Sequence, residues 1–167
     1  ATIQSFDGPA TFYVNQNKWN GSYPYVNGKF PQTAYPVPPS SCAIKGDVSL
    51  YKTGPVEFGI TNRAIAATGT VTVAEGPFTL WQGTTWLGAT NVVVSGGTFR
   101  LTEKNQLSPD ADYHLAAGEL QLDEGATQKA RYLWLDDAET PIKQGVWGAL
   151  DNTSVPVAHR TARITGA

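Results

Sequence analysis

The chain has 167 residues, of which 41% are hydrophobic and 16% charged, with a formal net charge of −2. That length suits one domain, residues 1–167, and that apolar content is enough for a core and too high for a disordered chain. Acidic and basic residues are mixed, so no basic face for nucleic acid is visible, and no apolar run approaches the roughly 20 residues of a membrane span.

The chain starts at Ala1 with no signal peptide, and reads as a mature protein or an excised domain. Cys42 is the only cysteine, which leaves no intramolecular disulfide and no cysteine-rich zinc site. Low Lys with high Gly, Thr, Val and Trp reads as an extracellular bacterial protein.

In chain order, Ile3 to Phe12 around Gly8 reads as a degenerate copy of a unit that recurs later. Residues 14–45 form an insertion rich in Pro, Asn, Ser and aromatics, including Trp19, Tyr23 and Tyr25. Its prolines oppose regular strand pairing, and a loop this long inside a domain is usually functional or disordered. The aromatics argue for function or packing.

Four clear units follow: Asp47 to Phe58, Thr70 to Leu80, Asn91 to Leu101 and Asp112 to Leu122. Each is a short alternating strand, a turn ending in Gly, and a second alternating strand. The glycines fall at 54, 76, 97 and 118, in steps of 22, 21 and 21. Alternation with period two sends one set of side chains inward. The predicted inward sets are Val48, Leu50, Val56, Phe58; Val71, Val73, Phe78, Leu80; Val92, Val94, Phe99, Leu101; and Tyr113, Leu115, Leu120, Leu122. The recurring Gly is expected at a corner with positive φ. A fixed step near 21 residues fits stacked coils better than a hairpin array. The expected fold is all-β, a right-handed parallel β-helix.

Residues 130–167 depart from the repeat. Tyr132-Leu-Trp-Leu135 starts a further strand, Gly145-Val-Trp-Gly148 a turn, and Arg160 to Gly166 a last strand. This segment is expected to cap the solenoid end.

Arg131-Tyr-Leu-Trp-Leu-Asp-Asp, Gln144-Gly-Val-Trp-Gly-Ala and Thr161-Ala-Arg-Ile-Thr-Gly together resemble the last coils of autotransporter-type β-helix proteins. The resemblance covers residues 46–167 and implies the fold. A single-domain β-helix of this size also resembles the xylan-binding carbohydrate-binding module family 89. That likeness implies a module that targets an attached glycoside hydrolase to plant cell-wall xylan, and it carries no contact residues over.

Catalysis has to be weighed, because glycoside hydrolysis needs two positioned carboxylates. Asp123-Glu124 and Asp136-Asp137 lie at successive corners, where Asp favours turns. Solvated turns are the first reading, and calcium is the alternative occupant that clustered oxygens would suit. No other cofactor is expected. His114 should face outward beside Tyr113 and Leu115, and neither it nor His159 has a Ser or Cys constellation. Cys42 lacks a basic neighbour and reads as an inert thiol.

A sugar-binding surface needs aromatic planes flanked by polar groups. Alternation turns Trp81 outward, with Arg100 and Gln121 among its polar neighbours, and turns Tyr132 and Trp134 outward, next to Asp112 and His114. Trp81 is exposed or else covered by its own turn or by the insertion. Trp134 is exposed or else covered by the terminal segment with Trp147. Trp19 and Tyr25 contact ligand or pack the insertion against the coils. Trp86 and Trp147 staple corners. Three functions compete: a secreted module for a polysaccharide, with xylan foremost; a structural segment of an adhesin or autotransporter passenger; and a small lyase or hydrolase, for which no carboxylate cluster beside the aromatics is seen. The first is preferred.

Overall fold

The computed structural model describes residues 2–4, 10–15, 43–61 and 64–166. The chain opens with β1 (Thr2–Gln4) and β2 (Ala10–Asn15). A winding follows from β3 (Ala43–Gly46), β4 (Val48–Thr53) and β5 (Phe58–Ile60). The next holds β6 (Ala66–Ala67), β7 (Thr70–Val73) and β8 (Pro77–Leu80). Then come β9 (Asn91–Val94) with β10 (Thr98–Leu101), and β11 (Asp112–Leu115) with β12 (Glu119–Leu122). β13 (Tyr132–Leu135) and β14 (Ile164–Thr165) complete the stack.

Strand pairing among them is parallel throughout, and the molecule is a parallel β-solenoid. First strands of each winding form a six-stranded sheet in the order β13-β11-β9-β7-β4-β2. Second strands form a five-stranded sheet, β14-β12-β10-β8-β5, and a short third face carries β1-β3-β6. Among the described residues no helix is long and apolar enough to cross a membrane.

The ladders explain the repeat. Leu50, Val71, Val92, Tyr113 and Leu133 stand in one column of the six-stranded sheet. Phe58, Phe78, Phe99, Leu120 and Ile164 form a column of the five-stranded sheet. Its phenylalanines stack, with centroids 5.4 and 5.1 Å apart. Each such side chain that is fully buried contributes about 1.5–3 kcal/mol. Trp86 closes the third side, fully buried, with Nε1 donating to the Ala67 carbonyl at 2.8 Å.

In the winding of β4 and β5 the register differs from expectation. Lys52 pairs with Val73, and Ile60 with Leu80. The inward residue after Leu50 is therefore Lys52 and the last inward residue is Ile60, while Val56 sits half-buried in the corner. Lys52 is fully buried because the corner supplies acceptors. Its Nζ donates to the carbonyls of Thr53 (2.8 Å), Gly54 (2.6 Å) and Glu75 (3.0 Å). Burial lowers its pKa from the ordinary lysine value, and the Glu75 carboxylate opposes that shift.

β1 and β2 are also placed differently. β2 pairs with β4, Phe12 opposite Leu50, and β1 pairs with β3 on the third face. The segment is thus a third-face strand followed by a first strand, not a first strand followed by a second. The insertion is correspondingly narrower than 14–45, since β2 extends to Asn15 and β3 starts at Ala43. Trp19, Tyr23, Tyr25 and Cys42 lie outside the described residues.

Positive φ accounts for only part of the glycine repeat. Gly54 and Gly76 turn with φ of 81° and 65°, whereas Gly97 and Gly118 are not left-handed. These two are required by space. A Cβ on Gly97 would strike the Gly76 carbonyl and Val73, and one on Gly118 the Gly97 carbonyl and Val94.

The C-terminal segment lies against the last rungs. Ile142 N–H donates to the Leu133 carbonyl at 2.8 Å, and Arg163 donates to Asp136 (2.8 Å) and the Ala117 carbonyl (2.9 Å). Trp147 stacks on His159 at 4.7 Å. The strand expected over Arg160–Gly166 is only Ile164–Thr165, because a 3-10 turn at Val157–His159 precedes it and the chain reaches β12 late.

Candidate functional site

The predicted contact residues divide between two faces. Trp81, Arg100 and Gln121 belong to the five-stranded sheet, Tyr132 and Trp134 to the six-stranded one.

On the five-stranded sheet the outer surface is closed by its own side chains. Gly59 lies opposite Thr79, and a Cβ there would come 2.6 Å from Trp81 Nε1. The missing side chain leaves a trough in which the indole lies, 9% exposed. Arg100 covers the ring, its guanidinium carbon 5.1 Å from the centroid, and Asp123 holds that guanidinium at 2.8 and 2.9 Å. Thr79 is fully buried and donates to Glu57 at 2.6 Å. Gln121 is half-buried in the next register position after Arg100. Trp81 points outward as expected, yet offers little area for stacking.

The six-stranded sheet carries a different outer surface. Tyr51, Thr72, Val93, His114 and Trp134 occupy one column across five strands. Neighbouring strands are about 4.8 Å apart, so such a column is a ruler of evenly spaced side chains. At its C-terminal end His114 and Trp134 stack at 4.3 Å, with planes 7° apart. Tyr132 meets Trp134 edge-on at 5.7 Å and is 47% exposed. His114 covers one face of the indole, and among the described residues no ring covers the other. Trp147, the expected cover, is stacked on His159 instead.

Charge frames this cluster. Arg131 clamps Asp112 through two bonds of 2.8 and 2.7 Å and lies over the Tyr132 ring at 5.6 Å. The Arg131 guanidinium holds the Asp112 carboxyl below the ordinary carboxylate range. We expect Asp112 to titrate below 3.8, and Arg131→Gln to return it towards that value. With its folded pKa depressed, the pair's stabilisation is complete above the unfolded value and is lost as pH falls through the folded one. Carboxyl-carbon NMR shifts followed against pH check this. A midpoint at or above 3.8 with Arg131 present would count against the pair.

The corner carboxylates proposed as a calcium alternative are engaged by arginines, Asp123 by Arg100 and Asp136 by Arg163. Among the described residues no group of three or more His, Cys, Asp or Glu is arranged to hold a metal ion. Sequence reasoning placed His114 next to Trp134 but gave it no part in the site. The signal was available, since the two residues hold equivalent positions in successive windings. The roles of Arg131 and Asp112 were not foreseen.

No protein-family model, curated protein or solved structure matches this chain. The class is therefore defined by the fold: a β-solenoid, here with an aromatic cluster at one end of its widest sheet.

Proposed function

We propose that this chain is a non-catalytic, secreted module that binds polysaccharide on the outer face of its six-stranded sheet. The observation that carries the reading is the Trp134–His114 stack, with Tyr132 at its edge. A pyranose presents a face of C–H bonds, and stacks on the uncovered side of Trp134 as the next rung of the aromatic column. Arg131 and Asp112 supply the polar rim for ring hydroxyls, and their mutual clamp fixes them before ligand arrives. Xylan is the leading candidate, through the resemblance to carbohydrate-binding module family 89, and the attached partner on that reading is a bacterial glycoside hydrolase that degrades plant cell wall.

The non-catalytic reading is supported by the state of the carboxylates near the aromatics. A general acid near neutral pH needs a raised pKa, whereas Asp112 is held low by arginine and Asp123 and Asp136 are both ion-paired. Affinity gels containing xylan, glucan or mannan test the reading. Retardation by one of them is expected, with Trp134→Ala weakening binding about tenfold or more. Uniform mobility in all three gels would remove the proposal and leave the structural-segment alternative.

A further inference from the structure

A cavity of about 700 Å³ lies at the C-terminal end of the solenoid, between the last core rungs and the terminal segment. Leu122, Leu133, Ile142 and Trp147 are among its apolar walls. The volume falls in the range of small-molecule sites. Two further features define what would fill it.

The first is Tyr113. It lines the cavity, is 1% exposed, and has a buried hydroxyl with no hydrogen-bond partner among the described residues. Burial pushes its phenol well above the ordinary tyrosine range, so it stays a neutral donor at any working pH. A buried donor without an acceptor is unfavourable, and the cavity is the space from which an acceptor can come. The second feature is charge. Lys129, Arg131 and Lys143 line the cavity, and no Asp or Glu is among its lining residues, in a chain whose net charge is −2. Arg131 is committed to Asp112. Lys129 and Lys143 are exposed, and neither forms an ion pair among the described residues.

We propose that this cavity binds a small amphipathic carboxylate, with its anionic head at Lys129 and Lys143 and an oxygen on its apolar body accepting from the Tyr113 hydroxyl. The site borders the glycan face, since Arg131 and Tyr132 also line the cavity, but Tyr113, Lys129 and Lys143 have no part in glycan binding and the proposal does not depend on that reading. A failure here leaves the glycan gels unaffected, and the reverse also holds.

The test uses three rigid probes on the full chain by titration calorimetry: 4-methoxycinnamate, 4-methylcinnamate and the methyl ester of the first. The methoxy acid should bind roughly fivefold to tenfold tighter than the methyl acid, the difference made by one hydrogen bond. The ester should bind more weakly than its acid. Tyr113→Phe keeps the ring and removes only the unmet hydroxyl, so it should fold; circular dichroism confirms that. This variant should erase the methoxy preference. Lys129→Glu with Lys143→Glu, both at exposed positions, should weaken both acids several-fold and leave the ester unchanged. The proposal is overturned if neither acid binds, if the ester matches its acid, or if the methoxy preference survives in the phenylalanine variant.

Discussion

Replacing Gln106 by Leu should destabilise the fold by roughly 3–5 kcal/mol, although the new side chain is more apolar and similar in size. Gln106 is 1% exposed and joins two windings. Its Nε2 donates to the carbonyls of Leu80 (3.0 Å), Trp81 (3.1 Å) and Thr84 (3.1 Å) in the preceding winding. Its Oε1 accepts from Thr102 N–H (2.7 Å) and Glu103 N–H (3.0 Å) in its own. Leucine would keep the volume and leave these main-chain groups facing apolar atoms, each unmet group costing about 1–3 kcal/mol before relaxation. Gln128, one winding later, is half-buried and bonds Leu107 on both its N–H and its carbonyl. Gln128→Leu should cost less, about 1–2 kcal/mol, because water can reach its partners. Urea unfolding of the two variants gives the comparison. A Gln106→Leu protein as stable as the parent would show that the network contributes nothing net.

The second large effect is expected at Phe99. This ring is fully buried and stacks on Phe78 at 5.1 Å with planes 15° apart, while Phe78 stacks on Phe58 at 5.4 Å. Phe99→Ala should cost about 3–5 kcal/mol from lost transfer energy and the cavity left behind. Phe58→Ala should cost clearly less, because Phe58 is only half-buried and stands in the edge strand of its sheet. Rungs of a solenoid touch only their neighbours, so Phe78→Ala and Phe99→Ala should couple when combined, whereas Phe58→Ala and Phe99→Ala should add. Equal losses at positions 58 and 99 in denaturant unfolding would contradict the ladder.

Much of the architecture is legible because a coil repeats its constraints. The columns through Val71, Val92, Tyr113 and Leu133 follow from alternation and a constant step, and the solenoid follows from the columns. Reading failed where one winding satisfied its needs in another way. Lysine in an inward slot breaks hydrophobic alternation, and nothing local in Val48 to Thr53 announces that carbonyls at the next corner will receive an ammonium. Aligning the glycines at 54 and 76 concealed this, because the strands on either side pair at steps of 21 and 20. Alternation also gives direction without cover. It sent Trp81 outward correctly, but the absence of a side chain at Gly59, a winding earlier, let the indole lie flat beneath Arg100. At Trp134 the opposite holds, since His114 beneath it supports the ring face to face and leaves its other face uncovered.

The register of parallel rungs has a mechanical consequence. Hydrogen bonds between windings run along the stacking axis, so a force pulling the two ends apart loads them in series rather than side by side. Only one rung has to give at a time, and the molecule should peel like tape from an end at low, repeated forces. A sideways load would have to shear many rungs together. Such a body is stiff across its width and compliant along its length.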